Sequence, residues 1–469
     1  MSASAAAPAM GSKPAGMFAA VSAPAVEPVA LSFDTPEKFL PVTVTALIDR
    51  LTREAAWPAG NAADARRFFR YLNYWRRNSY ANRLIEMDRA YEPFSPDSDL
   101  LVTRRYDAAE RQTLQKRFVG QMAQLLRNAN YEPIAKDRID LLLTKDSHYG
   151  LDLQVDTDAF EELLIFYRGS KSEVKQRRDR KKFYLRMEEY ELPIFQRLFV
   201  LFKLKPDDVR VREIMAEQRC DRREAERIVR RMRRLLPPQV KSDYIYMKLF
   251  KNMPRSDAEM VFPNTRVRFR MLDKLKLGVT AGGGVGAGVF GAAGKIALIF
   301  SNPVAAAGAA IGLGGVLFRQ VMNFVNQKNR YLVTMAQNLY FHALADNRGV
   351  MTVVADRAGE EDVKEEMLLY AVLAKEQVSE QDLPEVDRAI EQYVWNTFGI
   401  DFNFDVQDAL GRLVRDGIVR READGRLVAL SPKDAALKID ANWDGFLDNL
   451  ADDARIGEGE EFDGNGNGA

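Results

Sequence analysis

One nearly uncharged stretch near the middle of the chain restricts the fold more than any other feature of the sequence. Residues 277–300 contain a single charged side chain, Lys295, and residues 304–318 contain none. At about 1.5 Å per helical residue, the first run reaches roughly 36 Å and the second roughly 22 Å. The hydrocarbon core of a bilayer is about 30 Å thick. Because Ser301, Asn302 and Pro303 between the runs are typical of a turn, the sequence predicts a transmembrane helical hairpin over residues 277–325.

Small residues dominate both arms of this predicted hairpin. Glycines spaced four residues apart let helix backbones approach closely in lipid. We therefore predict packing between the arms, or between copies in a homo-oligomer, through Gly282, Gly284, Gly286, Gly288, Gly291, Gly308 and Gly312. Such spacing also arises by chance in any segment rich in glycine and alanine. A buried hairpin inside a globular core is the alternative to membrane insertion.

Basic residues flank the hairpin on both sides. Positive flanks stay on the cytoplasmic side, where they meet anionic lipid. We predict contacts with lipid headgroups for Arg266, Arg268, Arg270, Lys274 and Lys276. The sequence thus predicts a bacterial or mitochondrial inner-membrane protein that has both termini on the cytoplasmic or matrix side.

Cysteine and histidine are too scarce for several kinds of site. The only cysteine, Cys220, excludes an intramolecular disulfide and a cysteine-based zinc site. The two histidines, His148 and His342, leave little for metal binding or general-base chemistry. We therefore predict no metal, no cofactor and no catalytic residue.

Charge is unevenly distributed along the 469 residues. Residues 171–276 hold 30 basic and 16 acidic side chains, whereas residues 361–432 hold 8 basic and 16 acidic. The predicted fold class is an α+β membrane protein with an N-terminal α+β cytoplasmic domain. The regions are a disordered leader (1–33), a mainly helical part (34–150), a basic α+β domain (151–275), the hairpin (277–325), an amphipathic helix (326–350), a winged-helix-like module (361–432) and an acidic tail (433–469).

Helix and strand patterns occur on both sides of the hairpin. Helical spacing of apolar residues predicts helices over 64–90, 108–128 and 321–345. Strands are predicted over residues 151–155, 163–168, 182–188, 195–203 and 244–250, in an antiparallel sheet. Residues 221–236 predict a basic helix capped by Asp221, for which anionic lipid, nucleic acid and plain solvation all remain open.

The C-terminal part predicts three helices and a hairpin, the order of a winged helix. The helices are predicted over residues 361–376 and 384–398 and after the cap Asp405, and Gly417 ends the third helix. Reading DNA would require a set of exposed arginines: Arg412, Arg415, Arg420, Arg421 and Arg426. Because the module is acidic, phosphate binding is disfavoured and docking of a protein partner is preferred.

A polar run before the hairpin supplies the one candidate for chemistry. Arg255, Asp257, Glu259 and Asn264 bring two carboxylates and a guanidinium near one helix start. They would suit an enzyme acting at the membrane on lipid or a phosphorylated headgroup. An ordinary capped surface helix explains Asp257 equally simply.

Three runs of sequence stand out around the predicted hairpin: "RKKFYLRMEEYELPIFQRLFVLFKLK" (180–205), "YMKLFKNMPRSDAEMVFPNTRVRFRMLDKLKLG" (246–278) and "NLYFHALADNRGV" (338–350). Together they resemble the transmembrane-protein-143-like family, whose shared region is a domain of unknown function. The resemblance implies two membrane passes and a mitochondrial-type membrane, and it implies no catalytic residue. We expect a non-enzymatic anchor or scaffold; a membrane-surface enzyme and a membrane-tethered DNA-binding regulator are the alternatives.

Overall fold

The protein is described from a computed structural model. It describes residues 38–58, 60–97, 104–134, 152–178, 187–234, 236–254, 261–262, 266–268, 322, 329, 333, 336–337 and 339–446. Within these residues the helices are α1 (Val44–Leu51), α2 (Asn61–Tyr91), α3 (Ala108–Asn128), α4 (Asp207–Gln218), α5 (Arg222–Arg233), α6 (Asn347–Leu373), α7 (Leu383–Phe398), α8 (Val406–Arg415) and α9 (Pro432–Asp444). The strands are β1 (Glu132–Pro133), β2 (Asp152–Gln154), β3 (Phe160–Arg178), β4 (Met187–Leu204), β5 (Ile245–Pro254), β6 (Arg266–Arg268), β7 (Ala343–Asp346), β8 (Val378–Ser379), β9 (Val419–Arg421) and β10 (Arg426–Ala429).

A five-stranded antiparallel sheet forms the centre of the fold, in the order β1-β3-β4-β5-β7. Strand β4 is central, and its run of apolar residues is explained by cover on both faces. Phe199 and Leu201 point to the face that carries the long helices, whereas Leu198, Val200 and Phe202 belong to a second core on the other face. This alternation follows from the two-residue period of a strand.

Helices α2, α3 and α6 cover one face of the sheet. A capping box at Asp107 and Glu110 fixes the start of α3, because each side chain accepts from the backbone N–H of the other residue. The ring of Phe118 on α3 stacks on Tyr91 of α2 at 4.7 Å between centroids. The same core contains Phe166 of β3 and Val354 of α6.

The second half of α6 is the first helix of the C-terminal module, which we define as residues 361–430. Its helices α7 and α8 follow, and its small sheet has the order β8-β10-β9. Its elements therefore follow one another as a helix, a short strand, two helices and a β-hairpin. Asp405 caps α8, and Gly417 just beyond that helix has a φ of +74°, a backbone conformation that suits glycine.

The module shares one core with the N-terminal helices. Tyr370 of α6 lies 4.5 Å from Phe68 and 5.9 Å from Phe69 between ring centroids, both of them on α2. Helix α9 packs along α2, and its residues Ala435 and Ile439 belong to the same buried cluster. Residues at opposite ends of the chain therefore build one hydrophobic core.

The predicted membrane fold is wrong for the part of the chain that is described. No helix in that part is both long enough and apolar enough to cross a membrane. It is a mixed α/β structure with an antiparallel sheet. The same finding overturns the predicted inner-membrane location. Apart from Met322, the predicted hairpin at residues 277–325 lies outside the described residues.

Several elements differ from the predicted ones in their type or in their first and last residues. Ala343–Asp346, placed at the end of a predicted helix, form strand β7 because they pair with β5. Helix α6 begins at Asn347, well before the predicted position 361. Part of the predicted acidic tail is the helix α9, which the apolar contacts with α2 stabilise. The predicted helix over 108–128 is confirmed.

Candidate functional site

Most of the side chains that the sequence singled out lie outside the described residues. Arg255, Asp257, Glu259 and Asn264 lie outside the described residues, as do Arg270, Lys274, Lys276 and the seven predicted packing glycines. Arg266 and Arg268 lie in β6, where the backbone pairs with Gln154 and Asp152 of β2. The predicted polar site therefore lies wholly outside the described residues.

A different set of charged groups meets where the module joins α2. Helix α2 contributes one arginine, and α6 contributes three acids. Helix α8 contributes an arginine and an aspartate, and the residue that follows α8 is a second aspartate. We call this set the junction cluster: Arg76, Asp362, Glu365, Glu366, Asp408, Arg412 and Asp416. Spacings of three and four residues place the three acids of α6 on one helical face.

Arg412 is the centre of the junction cluster. Its Nε donates to Glu366 Oε1 at 2.7 Å, and its Nη2 donates to Glu365 Oε2 at 2.5 Å. Its Nη1 lies 3.1 Å from Asp362 Oδ1 and also contacts Asp408 one turn earlier. Only 5% of Arg412 is exposed, so a fully charged guanidinium is held inside the protein by four carboxylates.

Arg76 completes the arrangement from α2. Its Nη2 lies 2.9 Å from Glu366 Oε1 and 2.6 Å from Asp416 Oδ2. Glu366 has no exposed surface and bridges the two arginines. The hydroxyl of Tyr80, one turn further along α2, donates to Asp362 at 2.7 Å. The cluster therefore ties the module to the N-terminal helix by paired and hydrogen-bonded charges.

Burial shapes the protonation of the acids in the cluster. It raises the pKa of Glu365 to about 8, although Arg412 acts in the opposite direction. Burial likewise raises the pKa of Asp362 and of Glu366 against the attraction of both arginines. Five carboxylates face two guanidiniums, so protonation of a carboxyl reduces the excess of negative charge.

Three of these acids are also close enough to hold a metal ion. One carboxylate oxygen each from Asp362, Glu365 and Asp408 lies within 4.8 Å of the others. The guanidinium of Arg412 contacts all three residues. Because a guanidinium already lies in contact with all three acids, the geometry fits a structural ion cluster better than a cation site.

Replacing Glu365 with glutamine should flatten the pH dependence of stability. The pKa of Glu365 is about 8 in the folded chain and ordinarily 4.5, so the folded state holds a proton that the unfolded state releases between these values. The free energy of unfolding therefore falls as the pH rises, by at most about 1.4 kcal/mol per unit for one group. We expect the melting temperature to fall between pH 6 and 7.5, and much less so in E365Q.

The control is E385Q, which changes an exposed acid on α7 and should keep the wild-type slope. Burial lowers the pKa of Lys375 to about 8, and this group adds stability only as the pH rises toward and above that value. A wild-type melting temperature that rises from pH 6 to 7.5, or an E365Q slope equal to that of E385Q, would contradict this account.

Three of the five arginines that DNA reading would require contact carboxylates of the protein itself. Arg412 is buried in the junction cluster. In the hairpin of β9 and β10, Arg421 lies 3.3 Å from Glu380, and Arg426 lies 2.6 Å from Asp424. The exposed arginine surface that DNA reading would require therefore lacks Arg412, and two of its other four arginines have carboxylate partners.

The basic helix predicted at residues 221–236 is α5, which Asp221 caps as expected. It packs against α4 through a small core that contains Ile214 and Val229. Arg233 turns back to Asp207 at 2.6 Å and to the carbonyl of Lys205. Its other arginines are exposed or partly exposed, so the helix presents a basic outer face.

A family model described as a protein of unknown function (DUF3754) matches residues 160–349, less than half of the chain. The match covers the main sheet from β3 to β7 but excludes the junction cluster. No solved structure matches the chain. The resemblance to transmembrane-protein-143-like proteins stays a prediction, and the description of the matching family supplies no activity.

The sequence does not predict the junction cluster, because "EEDVKEE" at 360–366 is typical of the charged, solvent-exposed first turns of a helix. One signal was available. Arg412 lies beside Leu413 and two residues after Leu410 on a helix whose inner face is apolar. A charged residue inside such a face predicts buried partners of opposite charge.

Proposed function

We propose that the chain is a non-enzymatic interaction protein whose C-terminal module docks a protein partner. The observation that carries this proposal is the burial of Arg412. In a DNA-binding winged helix, the third helix presents cations to the groove and the phosphates. Here the central arginine of α8 points inward to four carboxylates.

The exposed residues of α8 are poorly suited to binding nucleic acid. Gln407 and Asp408 are exposed, and a Cβ added at Gly411 would meet open space. Arg415 is the exposed cation of this helix. Since phosphate binding depends on several neighbouring positive charges, a helix with one exposed arginine beside an exposed aspartate gives little affinity for DNA.

Exposed aromatic residues support protein docking instead. Trp395 on α7 is 55% exposed, and Trp443 on α9 is 48% exposed. Tryptophan is enriched among the residues that dominate protein–protein affinity. Trp395 lies outside the shared core, whereas its helix neighbours Val394 and Ile390 are buried in it. Its indole is therefore available to a partner and unnecessary for the fold.

The test compares what purified full-length wild type and W395A capture from the host lysate. We expect at least one protein to bind the wild type and to be lost by tenfold or more in W395A. R388A changes an exposed residue on the same helix and serves as the matched control that keeps the partner. Identical captures by wild type and W395A would overturn the proposed docking surface.

DNA binding is tested separately by fluorescence anisotropy with duplex DNA at low salt. Little binding is expected. Saturable binding that R415A/R420A abolishes would contradict protein docking and favour the DNA-binding alternative. The enzymatic alternative depended on Arg255, Asp257, Glu259 and Asn264, which lie outside the described residues and give it no support.

A further inference from the structure

Three arginines outside the junction cluster converge near the middle of strands β3 and β4. Arg168 of β3 and Arg197 of β4 are direct register partners. Directly opposite side chains of an antiparallel pair lie on the same face, with Cβ atoms about 5 Å apart. Arg357 comes from α6, which packs on that face. We call these residues the arginine triad.

The environment of Tyr131 shows that the three guanidiniums share one neighbourhood. Burial raises the pKa of the Tyr131 hydroxyl, and Arg168, Arg197 and Arg357 each act to lower it. The guanidinium of Arg168 lies 5.0 Å from the centre of the Tyr131 ring and 3.9 Å from that of Phe39. Two aromatic faces therefore wall the buried side of the triad.

The triad has too few anions for its charge. Arg168, 7% exposed, donates to the carbonyl of Ala129 at 3.4 Å. Arg197 donates to the carbonyl of Gln196 at 2.8 Å. Neither arginine forms an ion pair with a carboxylate among the described residues.

The acids nearest to the triad are already engaged. Arg357 pairs with Glu360 at 2.5 Å. Arg168 acts to lower the pKa of Glu361, but Glu361 accepts from Lys364 Nζ at 2.7 Å and from the backbone N–H of Leu40 at 2.9 Å. One paired carboxylate therefore stands beside three guanidiniums.

The positive charges of the triad repel one another, and the pKa of Arg197 shows the effect. Burial lowers its pKa, and the neighbouring charges of Arg168 and Arg357 lower it further. Like charges directly opposite on a sheet are unfavourable, and a partly buried guanidinium with unused N–H donors is costly to keep. Arg197 remains partly exposed, so a ligand from solution reaches its free donors. Lys251, the register partner of Arg197 on β5, is exposed on the same row.

We propose that the arginine triad binds a tetrahedral oxyanion of the phosphate class, either free or as the terminal group of a phosphomonoester. Guanidiniums donate in pairs to such oxygens. The oxyanion accepts from the unused donors of Arg197 and reduces the repulsion between Arg197 and Arg168. This proposal is independent of protein docking by the module.

The test is calorimetric titration of the purified full-length chain with sodium phosphate and with O-phosphoserine, at an ionic strength held constant with chloride. Saturable binding of at least one of the two is expected, with tenfold or greater loss of affinity in R197M. The matched control is R212M, which changes an exposed arginine paired with Asp208 on α4 and should bind like wild type. Binding of phosphate alone identifies the free ion as ligand; binding of both includes the monoester.

A second readout separates ligand binding from a structural role. Because R197M removes a repelled charge, the ligand-free variant should melt at or above the wild-type temperature, while the upward shift caused by phosphate disappears. Absence of binding by both ligands, or phosphate binding by R197M equal to that of R212M, would overturn the proposal. A ligand-free R197M that melts clearly below wild type would overturn it too, since Arg197 would then stabilise the fold.

Discussion

R412M should lower the free energy of unfolding by about 3–5 kcal/mol, the usual cost of removing one partner from a buried ion cluster. Methionine fills much of the volume of the arginine stem but supplies no donors. Glu365 and Glu366 would then lie buried without the guanidinium that contacts both. Arg76 still reaches Glu366, so Glu365 bears most of the loss. Chemical denaturation of the full-length chain at pH 7 measures the change.

R415M is the matched control for this experiment. Arg415 lies on the same helix and is exposed, and exposed substitutions usually change stability by about 0.5 kcal/mol or less. Adding E365Q to R412M should change the stability little, because loss of Arg412 raises the pKa of Glu365 further and its carboxyl is then already uncharged at pH 7. Equal stability of R412M and R415M would show that Arg412 is not held in the interior.

Y370A should lower the free energy of unfolding by about 3–5 kcal/mol, the range for truncating a large aromatic side chain in a core. Tyr370 is fully buried. Its ring packs against Phe68 and Phe69 of α2, and its hydroxyl donates to the carbonyl of Leu430 at 2.8 Å. Truncation therefore weakens the contact of α6 with α2 and with the end of the module.

Y370F separates the ring from the hydroxyl. It keeps the aromatic packing and removes one hydrogen bond, for which we expect a loss of about 1 kcal/mol. Thermal unfolding followed by circular dichroism should show one transition for all three proteins, because the module and α2 share a core. Two transitions in wild type, one of them unaffected by Y370A, would contradict a shared core.

Local patterns predicted the helices well where one face is buried. The bounds of α3 follow from its cap at Asp107 and its apolar spacing, and α8 follows from Asp405 and Gly417. The predicted start of α6 is too late because the sequence carries no helical prediction for residues 351–360, and residues 347–350 are predicted in a separate helix. Its contacts with the sheet and with α2 come from residues far apart in sequence, which periodicity does not report.

Charged residues were the least predictable part of the candidate site. Arg412 and Glu366 lie 46 positions apart in the chain, and Arg76 lies 290 positions from Glu366. Spacing within one helix gives no information on such pairs, so the sequence predicts none of these contacts. The charge count was misleading for the same reason: several of the acids in residues 361–432 are buried and paired.

The membrane prediction rests on the hydrophobicity and length of residues 277–318, on their basic flanks and small residues, and on a family resemblance. Those residues lie outside the described part of the chain. The described helices owe their apolar residues to burial against the sheet and against one another. No described helix combines the required length and apolarity.

We propose that α8 buries its middle arginine and that the module therefore suits a protein partner better than DNA. Arginine labelling of the native full-length chain with phenylglyoxal, read by mass spectrometry, tests this most directly. Arg412 is 5% exposed, whereas Arg415, on the same helix, is exposed. We predict rapid modification of Arg415 and protection of Arg412 until the protein unfolds. Modification of both at similar rates in the folded protein would contradict the account.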